Sequence, residues 1–182
     1  MTSLDSFLTE LDPLAFDPLP PDTRQRMLRF PLGIEDSALL PLEQIAEIIR
    51  IEVGDILPVP EMPTCVLGIC NWRGEMLWLI ELNHLMGYPA LLQNGHIYGS
   101  VAVMVVQVDD QFVGLMVSQV NDIELHDLQH LQPATSGLFP PKLLPFILGA
   151  LPGNKGVVLN ATGIIEYPLW QVHRGMYSRE IG

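Results

Sequence analysis

The sequence predicts an all-β protein built from barrels or sandwiches. Three observations carry that reading. Apolar β-like runs are short and closely spaced, long helical periods are few, and 16 prolines interrupt the chain. At 182 residues the chain suits one domain, or two small subdomains sharing a core. The first runs lie at 27–34, 38–42 and 45–51. Two more, at 67–72 and 76–81, flank a short polar knot. The clearest hairpin pairs 101–108 with 112–120 through Asp109-Asp110-Gln111. Later, 146–151 and 156–160 are separated by Pro152-Gly153-Asn154-Lys155, a strong turn signal. Helices are expected to be short, near 81–86, 142–144 and 164–170.

The most informative stretch is GICNWRGEMLWLIEL at 68–82. Residues 76–80 put bulky apolar side chains on both faces of a period-two element, so this strand is expected to be covered on both sides. Arg73-Gly74 between two such runs reads as a tight hairpin turn in which glycine supplies backbone freedom. A guanidinium at the tip of such a hairpin is either salt-bridged for structure or held out for a partner.

The ends differ from the body. In residues 1–23, Leu4, Phe7, Leu8 and Leu11 follow helical spacing, and Pro13, Pro18, Pro20 and Pro21 then forbid a continuing helix. This extension reads as a short amphipathic turn on a stiff tether, which either docks back onto the chain or enters a partner's groove. The body spans 24–170, and 171–182 reads as a polar tail.

Composition narrows the function. With 48% hydrophobic and 16% charged residues the chain can bury a substantial core. Nine basic against 21 acidic residues, a net charge of −12, argue against nucleic-acid binding, which needs clustered Lys and Arg. The first residues lack the basic-then-apolar pattern of a signal peptide, and no apolar run approaches the roughly 18 residues of a membrane span. A cytoplasmic protein without membrane insertion is expected.

Three chemistries were weighed against these residues. His126 and His130 stand at i and i+4, as in the zinc-protease motif HExxH, where a helix places both imidazoles on one face. A metal-dependent hydrolase using this pair is the alternative reading. Against it, Pro133 allows at most one or two turns of helix, Asp127 is shorter than the usual Glu, and His84, His96 and His173 offer no obvious third ligand. Cys65 and Cys70 sit in apolar runs and read as small buried hydrophobes. Nucleotide loops and nucleophile elbows are absent; Lys155 in GALPGNKG leads into a strand, not a helix. A non-enzymatic binding module without cofactor or metal is the resulting expectation.

Taken in order, QIAEIIRI at 44–51, ILPVPEMPTCVLGICNWRGEMLWLIEL at 56–82, QFVGLMVSQVNDI at 111–123, FILGAL at 146–151 and GVVLNATGII at 156–165 resemble the CheW-type chemotaxis coupling proteins. The resemblance covers nearly all of the body. It implies two small intertwined five-stranded β-barrels sharing a hydrophobic core. It also implies an adaptor that binds the cytoplasmic tip of methyl-accepting chemoreceptors and the regulatory domain of a CheA-type histidine kinase. Such adaptors work in arrays at the inner face of the membrane and can associate weakly with one another. Residue by residue, the family's Val-Arg-Glu-Ile maps onto Ile45-Ala46-Glu47-Ile48 and its Asn-x-Arg-Gly onto Asn71, Arg73 and Gly74. Glu47 and Arg73 are the implied functional pair, as a structural salt bridge, a partner contact or both. Val113, Leu115 and Val117 match a strand that helps line the receptor groove, although core packing is the simpler explanation, since a strand serves one face each way. Ala46 and Ser118 replace a common Arg and a common Asp of the family, and Trp72 and Trp78 are bulkier than the usual aliphatics. These departures imply a divergent member with retuned partner choice.

Overall fold

A computed structural model describes residues 22–92, 99–134, 139–153 and 155–167. The expectations for the extension before Asp22, for the tail at 171–182, and for His96 and His173 lie outside the described residues.

Among the described residues, ten strands form two five-stranded sheets that curl like half-barrels. They are β1 (Arg24–Leu32), β2 (Asp36–Pro41), β3 (Ile45–Glu52), β4 (Val66–Trp72), β5 (Glu75–Glu81), β6 (Ser100–Val108), β7 (Gln111–Val117), β8 (Ile123–Asp127), β9 (Ile147–Ala150) and β10 (Val157–Leu159). The first sheet runs β8-β1-β2-β10-β9 and the second β3-β6-β7-β5-β4. The chain therefore starts in one sheet, completes the other with β3 to β7, and returns, which makes the halves intertwined. Each half combines antiparallel hairpins with one parallel pair, β2 with β10 and β5 with β7.

Burial explains the architecture. Leu77, Leu79, Val103, Val105 and Met116 fill the inside of the second sheet, and Met27, Leu39, Leu151 and Val158 that of the first. The alternate residues of the same strands, such as Phe30, Leu40, Ile80, Met104 and Leu115, meet in one larger core between the halves. Strands serving two cores are apolar on both faces, which is why β5 is buried from Leu77 onward. Bridges between Leu57 and Ile69, and between Gln132 and Ala150, help close the two curls.

The helical segments are short, as expected, with shifted limits. Helix α1 is Leu82–Leu85, and α2 is Ala161–Ile165, earlier than the predicted 164–170. Asn160 sets that earlier start by accepting a hydrogen bond from Gly163 N at 3.1 Å. Residues 141–146 form a 3-10 segment that takes Phe146 out of the following strand. Ile34 is not a strand residue. Gly33, at φ +60°, turns the chain first and leaves Ile34 fully exposed. β7 ends at Val117, short of the predicted residue 120. β8 was not predicted at all.

Candidate partner-binding site

The site grows out of the β4–β5 hairpin. Both central turn residues have positive φ, +51° at Arg73 and +79° at Gly74, the pattern of a type I′ turn whose twist suits a two-residue hairpin. Asn71 Oδ1 accepts from Gly74 N at 3.1 Å and braces the turn. Glycine meets this geometry without strain, whereas arginine adopts it at some cost.

Glu47 approaches from β3, at the opposite edge of the same sheet. The register between β3 and β6 slips between Ile45 and Glu47, a bulge that re-aims the glutamate. Its Oε2 accepts from Trp72 Nε1 at 2.8 Å and lies 3.1 Å from Arg73 Nη2. The curl of the sheet is thus fastened edge to edge by one carboxylate oxygen. The Arg73 guanidinium also rests on its neighbour, 4.9 Å above the Trp72 ring, and that ring packs on Phe112 at 5.2 Å. Trp72 is buried beneath, while the Arg73 side chain keeps 64% and Glu47 38% of their surface exposed. A cation fixed on an aromatic platform, with its outer face in water, is organised to meet an acidic or carbonyl-rich surface.

Beside this cluster an open cleft of about 550 Å³ is lined by the apolar Leu57, Ile69, Cys70 and Met76, by Asn71 and Gly74 of the turn, and by the acidic Asp55 and Glu75. Leu57 and Met76 are among the large apolar side chains left exposed. Asn71 and Gly74 of the turn belong to the cleft, which joins the charged tip to these apolar side chains.

Not every candidate residue reaches it. Glu47, Asn71, Arg73 and Gly74 come together. Ile45 is half-buried at the start of β3, packed against the shared core. Val113, Leu115 and Val117 are all buried in the shared core. The reason is period two in a strand with apolar residues on both faces, which puts these three inward between the halves.

The histidine pair does not form the helical motif. His126 belongs to strand β8 and His130 to a 3-10 turn beyond it. Each faces its own carboxylate, His126 Nε2 on Glu124 Oε1 at 2.7 Å and His130 Nδ1 on Asp127 Oδ2 at 3.4 Å. The i, i+4 rule needs an α-helix, and this segment passes from strand into a 3-10 turn. Cys65 and Cys70 are free and buried, and burial pushes both thiols up.

Two groups of residues escaped sequence reasoning. Trp72 is the second partner of Glu47, and its adjacency to Arg73 was the available signal. Arg29 ties β1 to β8 and β2. It grips Glu124 through both carboxylate oxygens, donates to Ser37 Oγ, and reaches Lys155 O at 2.7 Å. An arginine in the apolar run of β1 hinted at this network but named no partner.

The chain matches the family model described as the CheW-like domain over residues 26–166. It is 32% identical over 77 residues to the chemotaxis protein CheW of Rhizobium meliloti (strain 1021), covering 42% of this chain and 46% of the relative. To the chemotaxis protein CheW of Helicobacter pylori (strain ATCC 700392 / 26695) it is 32% identical over 97 residues, 53% of this chain and 54% of that protein. The chain thus spans about half the length of the curated relatives it matches. The crystal structure of the scaffolding protein TtCheW from Thermoanaerobacter tengcongensis superposes with a TM-score of 0.59 at 20% identity, covering 75% of this chain and 87% of that one. Its likeness shows the fold, and the family model, spanning well over half of the sequence, shows the kinship. This chain belongs to the CheW-like domain family.

Proposed function

We propose that the protein is a non-enzymatic adaptor that couples chemoreceptor-type or photoreceptor-type signalling proteins to a CheA-type histidine kinase. The observation that carries this reading is the Glu47–Arg73 pair, seated on Trp72 at an exposed hairpin tip beside an open cleft with apolar walls and an acidic rim. A coupling protein needs a specific charged contact beside apolar area, not a catalytic constellation. In this reading Arg73, Glu47, Asn71 and Gly74 meet the regulatory domain of the kinase, and apolar surface including Ile45 takes a helix of the receptor's cytoplasmic tip. The adaptor works in the cytoplasm, recruited to receptor arrays, and associates weakly with itself there. Among the described residues no helix is long and apolar enough to cross a membrane.

The test is co-sedimentation of the purified chain with receptor-tip and kinase fragments. Arg73→Glu is expected to lower kinase or receptor binding while thermal unfolding stays cooperative. Wild-type affinity for both fragments in that variant would overturn the assignment.

A further inference from the structure

β8 is an edge strand with apolar side chains left in water. Its Glu124 and His126 face the Arg29 network, while Ile123 and Leu125, on the face that carries Leu28, are exposed. In register, Ile123 lies opposite Leu28 and Leu125 opposite Arg26, so all four share one face of the sheet. Arg26 adjoins Leu42 around a small cavity of about 230 Å³ that Gln25 and Glu43 complete. The result is an apolar strip, Ile123, Leu125 and Leu42, with exposed Arg26 in its middle. Among the described residues Arg26 has no ion pair, although Arg24 and Arg29 beside it both do.

The chain enters the described structure next to this strip, since Asp22 precedes β1 by two residues. The 21 residues before it hold Leu4, Phe7, Leu8 and Leu11 at helical spacing. They also hold four acidic residues, Asp5, Glu10, Asp12 and Asp17, and no Lys or Arg. We infer that this segment docks in cis on the β1–β8 strip, its apolar side on Leu125, Ile123 and Leu42 and its carboxylates toward Arg26. Reach permits it. The proline-rich stretch at 12–21 spans about 30 Å if extended, whereas adjacent strands lie only about 5 Å apart and Leu125 sits two residues along β1 from its start. Charge favours it, because an acidic segment meets the unpaired cation of a chain that is otherwise strongly acidic. Covalent attachment gives the segment a local concentration that a free partner must exceed. It also covers an edge strand whose apolar side chains would otherwise face water. The strip adjoins Ile45 through the turn at Leu42–Gln44. Docking would therefore shield that end of the partner surface, a consequence that rests on the function proposed above; the docking itself does not.

The experiment places a photo-crosslinking phenylalanine analogue at Phe7 in the full chain, irradiated at low micromolar concentration without any partner. Expected are monomeric products joined to residues of β1, β8 or the Leu42–Gln44 turn, reduced severalfold by Arg26→Glu or Leu125→Asp. Circular dichroism of those two variants verifies that they fold. Crosslinks mapping elsewhere on the chain, dimeric products, or a yield untouched by both folded variants would overturn the inference. None of these outcomes depends on receptor or kinase binding.

Discussion

Glu47 Oε2 accepts the indole N–H of Trp72 at 2.8 Å, and these two residues come from strands at opposite edges of one sheet. The same oxygen lies 3.1 Å from Arg73 Nη2. One side chain thereby closes the curl of the sheet and holds the exposed cation in place. Of its two bonds, that to the indole matters more for folding, because the indole is buried and the guanidinium is wet. Glu47→Ala is therefore expected to destabilise the fold by about 1–2 kcal/mol, mostly through the stranded indole N–H. Denaturant unfolding measures this, and an equal or larger loss in Arg73→Ala would overturn the ranking.

Gly68 has φ +143°, and a Cβ added there would lie 2.1 Å from the carbonyl oxygen of Leu57. That backbone contact belongs to the bridge between Leu57 and Ile69, so neither side can yield. Gly68→Ala is expected to cost about 3 kcal/mol or more and to disturb the cleft beside the hairpin. A melting temperature within a degree or two of wild type would contradict this packing.

Arg29 grips Glu124 and holds its carboxyl at about 2, far below its ordinary 4.5. Because the folded protein binds this proton less readily than the unfolded chain, the network's contribution is complete above the ordinary value. It is lost as pH falls from about 5 toward 2. Glu124→Gln should lower stability by roughly 1–2 kcal/mol at neutral pH, allowing for partial exposure. It should also flatten the acid limb of the stability profile. Parallel wild-type and variant curves between pH 5 and 2 would remove the ion pair from the account.

Leu115 distinguishes core from interface. Fully buried between the two halves, it should lose about 2–5 kcal/mol on truncation to Ala. Binding per folded molecule should be unaltered, read by calorimetry with the folded fraction determined independently. A lowered affinity with unchanged stability would return this strand to the partner surface.

Much of this was legible from residues alone. The β4–β5 hairpin declared itself because Arg73-Gly74 separates two apolar runs, and the double burial of β5 followed from its unbroken apolar character. β8 is the exception. Ile123, Glu124, Leu125 and His126 do alternate apolar with polar, but the run is short, and its apolar side chains share the face of Leu28 while staying exposed at the sheet edge. Period two also could not tell which of two cores claims Val113, Leu115 and Val117, since every face of β7 is apolar. Resemblance paired Glu47 with Arg73; the third member, Trp72, required the curl of the sheet, which no local pattern encodes.

In the proposed adaptor role, Arg73 occupies a turn position better suited to another residue because its guanidinium serves recognition. Arg73→Asn tests it most directly, since Asn accepts positive φ readily and Asn-Gly is a favoured type I′ pair. The account predicts folding stability equal to wild type or higher by up to about 1 kcal/mol, the easier turn offsetting an exposed ion pair. It also predicts that affinity for the kinase regulatory domain falls by about tenfold or more. Undiminished affinity in a fully folded Arg73→Asn variant would contradict it.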